Sequence, residues 1–216
     1  MAELVEVDTP YAIEMQVVTE AQVPVLGKRT IVTRSYSQVT FARDEQGWTQ
    51  TFVPCAMEND SGQVSFPPEF IRSIPPRTHR ITWTDQSYRV DTGASFLGVK
   101  GPIEAVPFEP DHPAIVDADD DGHPGVTVHL TLPLFGRIRL YLAQVNHSVL
   151  TGQKRDDGSI TGSVDMRRME TRTLAASIGL FAVNPEVTLV DGASRFSIVP
   201  DPERRCRGAF PTPDPG

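Results

Sequence analysis

The chain is poor in cysteine: only Cys55 and Cys206 occur among its 216 residues. Neither sits in a CxxC pair or beside a histidine, so thiol-nucleophile and zinc-thiolate chemistry have little support. No apolar run approaches the roughly 18 residues that a membrane-spanning helix needs. The start, Met1-Ala2-Glu3-Leu4-Val5-Glu6, lacks both the basic flank and the apolar block of a secretory leader. Positive charge is short as well. Lys and Arg number 20 against 28 Asp and Glu, for a net charge of −8. That balance argues against a nucleic-acid partner, which favours basic faces, and against anionic membrane surfaces. Catalytic signatures are missing too. There is no GxSxG and no glycine-rich phosphate loop. The histidines His79, His112, His123, His129 and His147 form neither HxH nor HExxH.

Proline (19) and glycine (16) are plentiful and spread along the chain, which suits short strands and turns better than long helices. The length allows one sizeable core, and a single domain over 1–210 is expected, with 211–216 (PTPDPG) a disordered tail by composition. Thr30 to Phe41 alternates over a dozen positions, and Gly47 to Pro54 fits a partner strand across the turn 43–47. Pro67 to Ile74 reads as one short helix, opened by proline and Glu69 and stopped by Pro75-Pro76. Arg80–Thr84, Ser87–Val90, Arg137–Val145, Ser159–Arg168 and Arg195–Val199 are further strand candidates, and Thr171–Leu180 fits either strand or helix, its neighbours favouring a strand. Val126 to Leu132 alternates most strictly of all. Residues 91–125 read as a long connection, of the kind that forms binding loops or lids. Nine or ten strands joined mostly as hairpins imply an all-β fold. The expected form is an antiparallel up-and-down barrel of lipocalin or calycin type, because closure removes exposed edges. A two-sheet β-sandwich is the alternative.

The densest chemical signal is Asp117-Ala118-Asp119-Asp120-Asp121-Gly122-His123-Pro124-Gly125. Asp117, Asp119 and Asp121 match positions 1, 3 and 5 of an EF-hand loop, and Gly122 matches position 6. His123 would serve position 7 through its backbone carbonyl. The bidentate glutamate of position 12 is replaced by Val128, and a strand follows in place of a helix, so this is not an EF-hand. It is similar to DxDxDG loops whose remaining ligands come from elsewhere in the fold, with Glu109, Asp111 and Asp120 nearby. A bare Asp-rich turn is the competing reading, since Asp satisfies turn amides. The crowding of four carboxylates favours a cation. Hard oxygen ligands point to calcium in a structural role, and no organic cofactor is expected.

Alternation places Arg137, Arg139 and Tyr141 on one strand face, and Arg34 with Tyr36 on another. His129 shares a face with Thr127 and Thr131. If these faces point inward, Arg34, Tyr36, His129, Arg137, Arg139 and Tyr141 form a polar ligand pocket of positive charge, suited to a carboxylate or an enolate. If they point outward, they are a solvated surface. Cys55 and Cys206 have two readings. Paired in an oxidising compartment, they close a long loop worth on the order of 5 kcal/mol in the chain-entropy model. In a reducing one they are unrelated thiols. Their separation, each at the edge of an element, favours a disulfide.

The run VDADDDGHPGVTVHL, then GRIRLYLAQ and GSITGSVDMR, resembles a group of uncharacterised exported β-rich proteins of myxobacterial type. There an Asp-rich DGxPG loop also precedes a strand and a late cysteine follows the last one. The resemblance spans roughly residues 20 to 207. It implies export to the periplasm, cell surface or medium, with the leader absent from this chain, paired cysteines and calcium-rich surroundings. The cytoplasm is the alternative. The expected function is an exported, calcium-stabilised barrel that binds an apolar or lipid-like small molecule. The alternative is a cofactor-free barrel cyclase or isomerase acting by shaping its substrate, which need leave no motif.

Overall fold

The computed structural model describes residues 5, 7, 9–23 and 27–201. Eleven strands are found among them: β1 (Pro10–Val23), β2 (Gly27–Asp44), β3 (Gly47–Asn59), β4 (Val64–Ser65), β5 (Arg77–Thr84), β6 (Ser87–Leu97), β7 (Val126–Leu132), β8 (Gly136–Lys154), β9 (Ile160–Ala176), β10 (Val187–Leu189) and β11 (Arg195–Pro200). One short helix, α1 (Pro68–Arg72), lies between β4 and β5, with Pro in its first turn and Glu69 near its N-terminus.

The strands pair in chain order around a ring: β1, β2, β3, β5, β6, β8, β9, β11 and back to β1, every ladder antiparallel. This is the closed up-and-down arrangement expected from the hairpins. The remaining strands patch the wall. β8 is long enough to serve two partners along one edge, β7 over Gly136–Leu142 and β6 over Gln144–Gln153. β4 links β3 to β7 and so completes the wall beyond the reach of β5 and β6. α1 stands against this patch, with its buried Phe70 and Ile71 packed on Val126 and Val128.

One end of the barrel is solid. Phe41, Tyr88, Val90, Leu150, Phe196 and Ile198 fill it, each almost fully buried, with Trp48 and Trp83 at its margin. Within this plug the Tyr88 hydroxyl donates to Gln50 Oε1 at 2.7 Å, both side chains being fully buried. Burial pushes the Tyr88 phenol far above its ordinary range. Tyr88→Phe should cost about 1–3 kcal/mol by leaving Gln50 with no partner for its carbonyl. The double variant Tyr88→Phe/Gln50→Leu should recover most of that loss in urea unfolding.

The connection between β6 and β7 departs from expectation. Its first residues, Asp91 to Leu97, belong to β6. The rest, 98–125, does not cover the barrel mouth but lies along the outer wall. Val99, Ile103, Val106, Ala114 and Ile115 pack on Ala143, Val145 and Leu174. Arg168 donates to the carbonyls of Ile103 and Glu104, and the Val106 N–H donates to Glu170 Oε1 at 3.0 Å. The reason is visible in β8, where Tyr141, Ala143 and Val145 alternate with inward Leu142 and Gln144. The outer face of that stretch is apolar, so it needs a cover of its own. Strand assignments differ as well. β1, β4 and β10 were not among the expected strands, and the elements expected over Ser159–Arg168 and Thr171–Leu180 form the single strand β9, which ends at Ala176 and gives way to a 3-10 turn over Gly179–Phe181.

Candidate functional site

Beyond the plug the barrel is hollow. A cavity of about 440 Å³ lies inside the ring, within the range of roughly 300–1,000 Å³ common for small-molecule sites. Strand alternation builds it. β1 supplies Ile13, Met15, Val17 and Thr19, β2 supplies Thr33, Ser35 and Ser37, and β8 supplies Leu142, Gln144, Asn146 and Ser148. α1 adds Phe70 and Ile71, which form part of the ceiling. Small polar residues sit among the apolar ones, so the interior holds space that larger side chains would occupy.

The basic groups of the lining, Arg77 and His79, come from one strand. β5 turns Arg77 and His79 inward, on the same face as core Ile81. Ladder pairing of β5 to β6 ends at Ile81 and Val90, and β6 bulges between Asp91 and Ala94. Arg77 bridges the opening, its Nη2 donating to the carbonyls of Thr92 (3.0 Å) and Ala94 (2.9 Å). Burial pulls the Arg77 pKa below its ordinary value. The His79 ring lies 5.6 Å from that of Phe52. Burial, and then the charge of Arg77, lower the His79 pKa against a smaller opposing pull from Asp91. Across the cavity, Gln144 Nε2 donates to Thr171 Oγ1 at 2.9 Å, while the buried Asn146 Oδ1 has no hydrogen-bond partner.

His79 gives a pH prediction. Its folded pKa lies below the ordinary 6.5, so in that window the unfolded chain binds more protons than the folded one. Stability is therefore lost as pH falls through 6.5 and on toward the folded value. His79→Gln should flatten the fall in melting temperature between pH 7.5 and 5.5. His129, shifted down by burial and by Arg137 and Arg139, should leave a residual slope.

Of the six residues expected to form a polar pocket, Tyr36 borders the cavity and the other five are not among its lining residues. Arg34 is on the outer face, 3.6 Å from Glu14. Tyr36 borders the cavity wall at the β2 bulge, but burial, Glu14 and Glu58 all raise its pKa, and its hydroxyl bonds to Glu58. His129, Arg137, Arg139 and Tyr141 share the outer face of the β7–β8 ladder, where His129 pairs with Arg139 and Thr131 with Arg137. The inward face of these strands belongs to Val126, Val128 and Leu142. The correction has a simple cause: the apolar residues of both strands take the interior, which leaves the arginines to solvent. Arg77 and His79, four and two residues before core Ile81 on the same face of β5, line the cavity in their stead.

The acidic loop folds as a tight knot before β7. Asp117 Oδ1 and Oδ2 accept from the amides of Asp121 (3.2 Å) and Gly122 (2.8 Å). Asp119 Oδ2 accepts from the Thr127 amide at 2.7 Å, and Asp121 Oδ2 from the Thr127 hydroxyl at 2.5 Å. One oxygen from each of Asp117, Asp119 and Asp121 lies within 4.8 Å of the others, close enough to hold a metal ion. Asp119 is buried and its Oδ1 has no hydrogen-bond partner. Burial raises its pKa, opposed by the Thr127 amide and reinforced by Asp121 and Asp117. The His123 imidazole stacks on Tyr141, with ring centres 4.2 Å apart, and does not join the three carboxylates. Glu109, Asp111 and Asp120 also stand outside this group.

Cys55 is buried on β3, whereas Cys206 and the 211–216 tail lie outside the described residues. Among the described residues no helix is long and apolar enough to cross a membrane. No family model, curated protein or solved structure matches the chain.

Proposed function

We propose that this protein is a small-molecule binding barrel whose ligand is largely apolar or lipid-like. The observation that carries this is the 440 Å³ hollow inside an otherwise well-filled ring. Protein interiors are ordinarily packed to the density of organic crystals. Here the interior is packed at one end and open at the other, and Met15, Val17, Phe52, Phe70, Leu142 and Met169 are among the apolar walls. Methionines suit such a wall because their flexible chains adapt to ligands of different shape. Titration with the uncharged fluorescent probe N-phenyl-1-naphthylamine tests the reading. Saturable uptake at one probe per chain is expected, and emission rising without saturation would contradict it.

The ion belongs to the same proposal as a structural element. Calcium fits the donor set, which is all carboxylate oxygen, and the unpartnered Asp119 Oδ1 is the atom that a cation would satisfy. Bound there, calcium neutralises carboxylates that already grip the start of β7 through Thr127. Export and a Cys55–Cys206 disulfide complete the proposal. Thiol titration of the denatured, unreduced protein should find no free thiol, and two free thiols would count against export.

A second reading has one observation in its favour. His79, its pKa lowered by burial and by Arg77, would act as a general base on an apolar wall with a cation next to it. That pairing suits a cofactor-free isomerase or cyclase. A saturable probe uptake together with ligand turnover that is lost in His79→Gln would favour this reading over simple binding.

A further inference from the structure

We propose that the ligand of this cavity is an amphipathic anion, an apolar chain ending in a carboxylate or similar head that seats on Arg77. This rests on the binding-barrel reading and specifies its ligand class.

The charge inventory of the cavity carries the inference. Arg77 is the one charged residue among those lining it, with no Asp, Glu or Lys beside it. The chain as a whole carries −8, so a lone interior cation runs against its composition. Among the described residues Arg77 forms no ion pair. Its recorded bonds are those of Nη2 to two backbone carbonyls. A guanidinium carries five N–H donors, so Nε and Nη1 remain available. A half-buried cation without a counter-ion is costly, and a bound anion removes that cost.

The surroundings agree with an anionic head. His79 stands two residues along the same strand face, and the Ser148 and Thr92 hydroxyls share a hydrogen bond of 3.2 Å nearby. The Thr92 and Ala94 carbonyls hold Nη2 and so fix the plane of the guanidinium before a ligand arrives, which lowers the ordering cost of binding. From there the apolar wall continues through Phe52, Met166 and Met169, a path for the chain of the ligand. A clamp on the β6 bulge is the competing role for Arg77. It requires only Nη2 and is indifferent to the charge of anything in the cavity.

The test is displacement of N-phenyl-1-naphthylamine at pH 8 by three C12 chains: dodecanoate, dodecanol and dodecyltrimethylammonium. Dodecanoate should bind at least about tenfold more tightly than dodecanol, the scale of one charge-assisted hydrogen bond, and the cation should bind most weakly. Arg77→Met should erase the preference by weakening dodecanoate alone, and Arg77→Lys should keep most of it. Equal affinities for dodecanoate and dodecanol, or a preference that survives in folded Arg77→Met, would overturn the proposal while leaving the binding barrel intact. Failure of the probe and all three chains to bind would overturn both. If Arg77→Met does not fold, the wild-type ranking of the three chains decides alone, and any order without dodecanoate first refutes the anionic ligand.

Discussion

Gly125→Ala should destabilise the protein by on the order of 3–5 kcal/mol, among the largest effects of any single methyl group added to this chain. A Cβ at this position would lie 2.1 Å from the Leu142 carbonyl oxygen, in a backbone conformation with φ +88° that L residues avoid. Neither problem can be relieved locally. Gly125 forms a bridge with Asp117, its amide donates to the Val116 carbonyl, and its carbonyl accepts from the Ala118 amide. Its neighbour Leu142 is a wall residue of β8. The methyl group would push the acidic loop off the barrel where β7 begins. Gly122→Ala is the control. It has a similar φ of +83° but nothing within 4 Å of the added atom, so only the backbone term of about 1–2 kcal/mol applies. Urea unfolding of the two variants should separate them clearly, and equal losses would show that the close approach to Leu142 carries no weight.

Calcium should raise the melting temperature of metal-free protein by about 5–10 °C at a hundredfold excess over its dissociation constant, from the mass-action gain and the size of the domain. Chelator should reverse the shift. Magnesium, which holds its waters and demands a tighter octahedron, should do much less. Asp119→Ala should abolish the response, because it removes both the unpartnered oxygen and the acceptor of the Thr127 amide. That variant should also start from a lower melting temperature without metal, since the Thr127 amide loses its buried partner. Identical melting curves with calcium and with chelator would leave the loop as a turn held by its own hydrogen bonds.

The architecture was legible because a barrel wall has a strong local signature. Val126 to Leu132 and Thr30 to Phe41 alternate, and turns such as 43–47 join neighbours in sequence that are also neighbours in space. β1 was equally legible in principle. Tyr11, Ile13, Met15 and Val17 alternate with polar residues, and Ile13, Met15 and Val17 all face the interior. Which face of a strand points inward was harder to read. In β8, Arg137, Arg139 and Tyr141 share a face with Ala143 and Val145, and the apolar end of that face is covered by the 98–125 segment rather than by the barrel. Alternation alone does not distinguish burial inside the ring from burial beneath an outer loop. The same ambiguity hid the destination of the long connection. Arg77 escaped notice because a charged residue at the start of a strand ordinarily faces solvent. Its inward turn depends on the β6 bulge, which breaks the ladder and exposes the carbonyls that it binds. The Asp-rich loop was legible in the three carboxylates it brings together, Asp117, Asp119 and Asp121, and in the strand that follows. Its packing was not, since the stacking of His123 on Tyr141 joins residues from separate elements.

The interior cavity is the centre of this account, and Ser35→Trp tests it most directly. Ser35 lines the hollow on β2, in register with Met15 on one side and Met57 on the other, so an indole there would fill part of the hollow. The account predicts that folded Ser35→Trp, with its melting temperature little changed, loses saturable uptake of N-phenyl-1-naphthylamine. Uptake equal to that of the wild type would place the probe on the outside of the barrel and contradict an interior binding site.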